Sequence, residues 1–398
     1  VSVSLPMAWI SLAKISLFVV GLVHLIAQNS KTPETSTWTE GWTSKFVLLI
    51  VIAFFTSLIW TEINLEIALL AAVKHAKLLE IPLLMLFIRT AVEARTAIVA
   101  FIAGQSFLLL SSWLIAAGLP IPWTTDPTGD YVVFSTYLDQ SVMFACTAGL
   151  VWHLRQAKLC KPWLCVVLAA AALVNVFLLL GGRTGYLVAV AVLTLAITLT
   201  VPKRLQLATL IAAPLLVLFS LYLASGQVED RLSKIVQESK SFSSKPETDS
   251  SSGWRINAWL RSVEAIDEKP LQGHGVGSWA LTAKRLQGDN GTKVFGAGNA
   301  SNPHQEFLLW GVELGVWGTA LLLLLMASIV KDASRFSRPV QRAVFSVVAA
   351  LAVACLFNSA LYDDLLGDYF CVALGLLLAL GANERVTANA QRPDAPQP

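Results

Sequence analysis

Long runs of apolar residues fill most of this chain and constrain its fold more than any other feature. A helix needs about 20 apolar residues to cross a membrane, and about eleven segments reach that length. They lie at roughly 5–27, 45–60, 65–88, 96–118, 131–152, 162–181, 184–201, 205–225, 306–330, 342–361 and 368–383. Residues 1–45 leave room for a twelfth. The sequence therefore predicts an all-α polytopic membrane protein, a bundle of about 11–12 transmembrane helices with one large, partly helical loop.

The composition agrees with a membrane protein. The 398 residues are 55% hydrophobic and 14% charged, whereas a soluble domain carries about 25% charged residues. The net charge is only +3 without a basic block, so nucleic acid is not an expected partner. The five cysteines form no C-x-x-C pair, so neither disulfides nor zinc is predicted. Walker A, D-x-D, H-E-x-x-H and G-x-S-x-G motifs are absent from the sequence, and we expect no cofactor or metal.

Lysine and arginine in the connecting loops predict the orientation. Basic loops alternate with acidic ones: the basic set is 153–162, 202–204 and 331–342, and the acidic set is 61–66, 119–130 and 361–368. Because cytoplasmic loops carry the excess of Lys and Arg, the basic set and the C-terminus are expected in the cytoplasm. The turn at Arg183 and the loop before His304 are then expected on the periplasmic face of a bacterial inner membrane.

A long polar interval divides the chain. We expect N-terminal transmembrane helices over 1–225, a periplasmic loop domain over 226–305, C-terminal transmembrane helices over 306–384 and a disordered cytoplasmic tail over 385–398. Within the loop, apolar residues recur at helical spacing over 254–266, glycines over 273–277 predict a tight turn, and the serine-rich 241–252 is expected to be flexible.

Two arginines and one histidine are the leading candidates for chemistry. Arg183 lies among three glycines at the edge of a span, where a guanidinium is costly unless it has a function; the alternative is a side chain that reaches out to the interface. Arg255 is either a ligand-binding or a solvated loop residue. His304 precedes an apolar helix, whose N-terminus disfavours imidazolium and leaves a neutral ring able to act as a base; the alternative is a structural histidine. His274 and Arg261 are their local competitors.

A second group of charged residues interrupts the third span or follows the last loop. Charges inside a span must face the bundle interior or a wet cavity, as internal ion pairs or as a headgroup site. Those in the third span are Lys74, His75, Lys77 and Glu80. Asp363, Asp364 and Asp368 are also explained by the acidic outer loop that the topology predicts.

These motifs, taken in order, resemble the O-antigen ligase family within the O-antigen ligase/polymerase superfamily. The resemblance runs from about Arg183 to the C-terminus and rests on 183–185, on Arg255 with Trp259, on 270–278, and on 302–307 leading into glycines 311 and 315. The family's usual histidine–asparagine–glutamate reads histidine–glutamine–glutamate at 304–306.

The resemblance implies a GT-C-like, metal-independent, inverting glycosyltransferase of lipopolysaccharide biosynthesis with a periplasmic active site. Its donor would be a glycan linked to undecaprenyl diphosphate, and its acceptor a sugar hydroxyl on lipid A–core oligosaccharide. His304 would act as the general base, and Arg183 and Arg255 would bind the diphosphate. The second tier of candidates is Lys77, Lys74, His274, Arg261, Asp363, Asp364 and Glu306.

Other functions share these signals. An O-antigen polymerase or a protein O-oligosaccharyltransferase of the same superfamily would use the same donor and differ in its acceptor. A lipid-linked glycan flippase or transporter, from another functional class, would also place cations in membrane cavities. A transporter predicts broken helices and inverted repeats, and the sequence indicates neither.

Overall fold

The computed structural model describes residues 7–28, 41–123, 131–157, 159–224, 251–287 and 302–390. Within these ranges the regular secondary structure is entirely helical, which confirms the all-α prediction. The α-helices are α1 Met7–Gln28, α2 Trp42–Thr56, α3 Leu65–Ala76, α4 Glu80–Phe87, α5 Ala91–Ala116, α6 Tyr137–Leu154, α7 Pro162–Leu178, α8 Arg183–Thr198, α9 Lys203–Ala224, α10 Ser251–Glu268, α11 Trp279–Gln287, α12 Glu306–Leu314, α13 Val316–Ala333, α14 Arg338–Phe357 and α15 Asp364–Ala390.

Several of these helices suit a membrane. Among the described residues, five segments are long and apolar enough to cross one: Trp42–Ile59, α5, α13, α14 and α15. Shorter apolar helices, α7 and α8 among them, accompany these. The polytopic membrane fold is thus confirmed, and each predicted span overlaps a helix or a pair of helices. The number of spans remains a prediction.

The segment 65–88, predicted as one span, is broken into two helices. A 3₁₀ turn at Lys77–Leu79 separates α3 from α4. Pro82 in the first turn of α4 explains the break, because proline has no N–H to donate and its ring clashes with the carbonyl of Leu78, four residues earlier.

The segment 306–330 is also broken, at Gly315 between α12 and α13. Gly315 has φ of +68°, and a Cβ there would lie 2.4 Å from the carbonyl oxygen of Pro270, so only glycine fits. The expectation of unbroken spans is therefore wrong. Broken helices, which are expected of a transporter, therefore do not distinguish a transporter from an enzyme here.

Small residues let the central helices approach closely. α6 packs against α7, α8 and α14. A Cβ at Gly149 of α6 would lie 2.2 Å from Ser346 Oγ in α14 and 2.4 Å from a methyl group of Val192 in α8. Close approach of this kind is how helices associate where lipid removes the hydrophobic driving force. α15 packs against α4, α5 and α14 and is buried over most of its length.

The polar interval contributes two helices that lie on the bundle. α10 covers the predicted helix 254–266 and packs against α11 and α12; α11 was not predicted. The glycine turn that joins α10 to α11 has positive φ at Gly273, Gly275 and Gly277. Gly275 N–H donates to the carbonyl of Glu313 (3.0 Å), and Gly277 N–H to its carboxylate (2.8 Å). Most of the serine-rich 241–252 lies outside the described residues.

The last helix extends past the predicted end of order. α15 continues to Ala390, so 385–390 do not belong to a disordered tail. Two contacts of the Glu384 carboxylate hold this end in place: Arg95 pairs with it at 2.9 Å and the Ser337 hydroxyl donates to it at 2.9 Å. Residues 391–398 lie outside the described ranges.

The cysteines are free thiols, in line with the prediction of no disulfide framework. Four of the five are buried. Cys160 and Cys165 flank the start of α7 with their Sγ atoms 2.6 Å apart, a contact that their spacing did not predict.

Candidate active site

His304 occupies a strained position at the entrance to α12. Its φ is +50°, in the left-handed region that residues other than glycine rarely adopt. Its N–H donates to Asn302 Oδ1 (2.9 Å), and Trp259 Nε1 donates to the carbonyl of Pro303 (3.1 Å). The Trp254 ring lies edge-on to the imidazole at 5.2 Å. Strain of this kind persists only where the surroundings impose it, and it concentrates at functional sites.

Asn358 fixes the orientation of the imidazole. Its Oδ1 lies 3.0 Å from His304 Nδ1. A carbonyl oxygen can only accept, so Nδ1 carries the hydrogen and Nε2 keeps its lone pair. Nε2 is therefore the nitrogen that can receive a proton.

The electrostatic surroundings favour a neutral His304. Burial lowers its pKa below the ordinary value, and the nearby Arg255 guanidinium acts in the same direction. The hydrogen bond that His304 donates to Asn358 and the carboxylate of Asp363 oppose this shift, and the net direction of the pKa is downward. A neutral ring is the form that a general base requires.

Arg255 brings the candidate arginines and His304 into one electrostatic neighbourhood. It lies in the first turns of α10, and its Nη1 donates to the carbonyl of Phe357 at 3.2 Å. Burial lowers its pKa, Arg183 lowers it further, and Tyr137 opposes them. Among the described residues Arg255 has no carboxylate partner, so a half-buried cation lies near another cation. An anion between the two guanidinium groups would relieve that repulsion.

The glycines around Arg183 lie at the contact between two helices. A Cβ at Gly182 or Gly185 would lie 2.2 Å from Ser141 Oγ of α6. These glycines therefore let α8 pack closely on α6.

Glu306 is a structural anchor for the loop that carries Asn358. Its side chain is fully buried, with 0% exposure. One carboxylate oxygen accepts Trp310 Nε1–H at 2.7 Å, and the other accepts the N–H groups of Leu361 (2.8 Å) and Tyr362 (3.3 Å). The loop 358–363, which joins α14 to α15, is thereby tied to α12 beside His304.

Lys74 and Lys77 form ion pairs with Asp364 at the start of α15. Lys77 is 2% exposed; its Nζ donates to the carbonyl of Asp363 (2.6 Å) and lies 3.5 Å from the Asp364 carboxylate. Lys74 lies 3.4 Å from the other oxygen of Asp364 and 4.8 Å from the Tyr362 ring centroid. Of the two interpretations of this cluster, internal pairing is the one that the contacts favour.

Two further pairs join neighbouring helices. Lys14 of α1 lies 2.7 Å from the Asp368 carboxylate of α15, and Glu80 of α4 lies against that carboxylate. His75 lies 2.9 Å from the Glu313 carboxylate and stacks on Phe54 at 3.6 Å. These contacts lock α1 to α15 and α3 to α12.

The remaining candidates lie in other contacts. Asp363 Oδ1 caps α15 by accepting the N–H groups of Leu365 and Leu366 at 3.0 and 2.9 Å, while its charge still reaches His304. His274 is fully buried, with Nε2 2.9 Å from the carbonyl of Ala265, a structural position. Arg261 pairs with Glu264 one turn away on α10, at 2.6 Å.

Sequence reasoning missed two residues. Asn358 follows an apolar run and carries no motif, so only its proximity to His304 reveals it. Glu313 lies inside an apolar run, which is itself a signal for a functional or structural site. Its carboxylate joins His75 to the glycine turn, and so it holds α10 in register with α12.

The comparison with known families agrees with this geometry. A family model described as O-antigen ligase matches residues 165–323. This segment, about two fifths of the chain, is therefore similar to the O-antigen ligase family. The matched range contains Arg183, Arg255 and His304 and stops before Asn358. The comparison with curated proteins found no match.

The matched family indicates a broad class of activity. It points to a glycosyltransferase-like activity of the ligase or polymerase type, and the apolar helices are consistent with a membrane setting. Gln305 departs from the asparagine expected at that position, and its side chain caps α12 by accepting the N–H of Leu308. The Gln305 side chain therefore stabilises the start of α12.

Proposed function

We propose that this O-antigen ligase family protein transfers a glycan en bloc from undecaprenyl diphosphate to a sugar hydroxyl of lipid A–core oligosaccharide. One observation carries the proposal: Asn358 leaves His304 Nε2 free to accept a proton, within electrostatic reach of Arg255, which in turn reaches Arg183. A base near one cation, which is itself near a second, matches a reaction that removes one proton and releases one diphosphate.

His304 receives the proton of the acceptor hydroxyl at Nε2. The hydroxyl oxygen attacks the anomeric carbon as the bond to the diphosphate breaks, and the electron pair leaves with the diphosphate oxygen. Attack from the face opposite the leaving group inverts the anomeric centre. Transfer to a positioned base contributes about 10²–10⁴ in rate. Asn358 holds the ring, and its carbonyl can stabilise the imidazolium that forms.

Arg183 and Arg255 bind the leaving diphosphate. Negative charge accumulates there as the glycosidic bond breaks, and preorganised cations stabilise it. The guanidinium fork matches phosphate oxygens. In the free protein the two guanidinium groups repel each other. A diphosphate bound between them would attract both, so its binding removes that repulsion.

The charge pattern of the loops supports a periplasmic site and a cytoplasmic C-terminus. His304, Arg183 and Arg255 lie at one end of the bundle, and the basic loops at 202–204 and 331–342 follow the opposite ends of α8 and α13. The diphosphate bond carries the energy of the reaction, so a site on this face needs no nucleotide. Candidates confined to one face also suit an enzyme better than a two-sided transport path.

Purified protein in detergent micelles, given lipid-diphosphate-linked glycan, tests this function. We expect glycan to appear on lipid A–core in a single transfer per acceptor. A ladder of repeat units formed without core lipid would instead identify a polymerase. Micelles have no second compartment, so covalent product there excludes a flippase, and its absence in both acceptor arms would contradict the proposal.

Replacing Arg255 by alanine tests whether this residue binds the donor or only stabilises the fold. Arg255→Ala should raise the donor KM and lower kcat by about 10²-fold, as the loss of one preorganised donor does. Arg261→Ala is the matched control on the same helix, because it removes the same charge from a residue whose ion-pair partner among the described residues is Glu264. Equal donor dependence in the two variants would make Arg255 structural.

A further inference from the structure

A cavity of about 230 Å³ opens at the end of the bundle opposite His304. α13 begins beside Gly315 near the candidate site and ends at Ala333, and the cavity lies beyond that end, between Arg335 and the last turns of α15. Its apolar lining includes Met85, Phe336 and Val386, and its polar lining includes Arg335, Arg385 and Asn389. An apolar floor under a cationic rim suits an anionic amphiphile.

The two arginines of the rim are not neutralised by the carboxylates around them. Among the described residues neither Arg335 nor Arg385 forms an ion pair, and both are exposed. Asp332, which also lines the cavity, accepts Trp42 N–H (3.0 Å), Thr43 N–H (2.8 Å) and the Thr43 hydroxyl (2.8 Å) at the start of α2. The Asp332 carboxylate therefore interacts with the N-terminus of α2 and forms no ion pair with Arg335 or Arg385 among the described residues.

Trp42 places the cavity at headgroup depth. It starts the apolar segment Trp42–Ile59 and is 40% exposed. Lys331 and Lys45 lie over its ring, 4.1 and 5.5 Å from the centroid. Tryptophan flanked by lysines is typical of a membrane–water interface, where lipid phosphates lie.

We propose that this cavity binds one anionic phospholipid, with its phosphodiester on Arg335 and Arg385 and an acyl chain against Met85, Phe336 and Val386. A guanidinium pair suits a phosphate, and basic pockets between transmembrane helices bind anionic headgroups. The lipid would join the α13–α14 connection to the end of α15. The site is separate from the His304 cluster and does not depend on the proposed transfer reaction.

Native mass spectrometry of the full chain tests this site. Protein in detergent is titrated with phosphatidylglycerol, with phosphatidylcholine and with inorganic phosphate. Arg335→Ala/Arg385→Ala is compared with Lys203→Ala/Arg204→Ala, which removes the same charge from exposed residues at the start of α9, at the same end of the bundle. Thermal melting of each variant without lipid checks that it is folded.

We expect wild type to retain one phosphatidylglycerol in preference to phosphatidylcholine. The cavity variant should bind it about 10- to 30-fold more weakly, the effect of two cations at a lipid surface, and the control variant as wild type does. Equal retention of the two lipids, or equal losses in both variants, would overturn the proposal. Displacement of the lipid by millimolar phosphate would assign the cavity to free phosphate instead.

Discussion

Replacing Glu306 by alanine tests whether the loop 358–363 positions the catalytic base. The carboxylate accepts three hydrogen bonds in a fully buried place, from Trp310, Leu361 and Tyr362. Each buried donor left unpaired costs about 1–3 kcal/mol, so Glu306→Ala should lose about 3–9 kcal/mol of stability. Water that enters the space left by the side chain favours the lower end of that range.

The same change should reduce transfer in the folded fraction. Without its anchor the loop no longer holds Asn358 beside His304, and a displacement of about 1 Å in a catalytic group can cost about 10²-fold in rate. Glu306→Gln is the conservative variant: its carbonyl oxygen can still accept the two loop N–H groups, while its NH₂ faces the Trp310 N–H. We expect it to lose about 1–3 kcal/mol, for one unpaired donor, and to keep most of its activity.

Thermal unfolding in detergent and the transfer rate per folded molecule are the two measurements. If Glu306→Ala does not fold, Glu306→Gln still carries the test through its rate and melting temperature. Folded Glu306→Ala that transfers glycan at the wild-type rate would refute the positioning role. The positioning role would also be refuted if Glu306→Gln were as inactive as Glu306→Ala, because the glutamine keeps the oxygen that accepts the loop N–H groups.

Three further predictions concern pH, packing and metal. Activity should fall at low pH with an apparent pKa below the ordinary histidine value of about 6.5, because His304 must be neutral and its pKa is lowered. Asn358→Asp should move this limb to higher pH by about one unit, since a carboxylate stabilises imidazolium; a pH profile of kcat/KM checks both. Gly185→Leu should reduce the free energy of unfolding by about 1–3 kcal/mol, because its Cβ would lie 2.2 Å from Ser141 Oγ. A lower melting temperature would show this loss. Transfer should be unchanged by EDTA, and loss restored by a divalent cation would contradict metal independence.

Periodicity and apolar length were sufficient to predict the helices. Each apolar run overlaps a helix because backbone groups in lipid must bond within their own segment. The break at Lys77–Leu79 was readable from Pro82, whereas the break at Gly315 depends on the distant Pro270, which no local pattern reveals. The helical end of α15 is likewise held by a residue distant in sequence, Arg95, which pairs with Glu384.

The candidate site was predictable only as a set of residue types. Arg183, Arg255 and His304 were indicated by their positions at the ends of apolar runs. The partner that selects the His304 tautomer, Asn358, comes from a contact across 54 residues that is made when α14 ends beside α12. Long-range contacts of this kind follow from packing, and a single sequence does not encode them in any local pattern.

The general-base role of His304 is tested most directly by the single-turnover rate and the donor Kd of His304→Ala in one preparation. His153→Ala, at the other end of α6, serves as the matched histidine control. We expect His304→Ala to lose about 10²–10⁴ in rate with unchanged donor binding, and the control to keep the wild-type rate. Transfer by His304→Ala at the wild-type rate would contradict the general-base role.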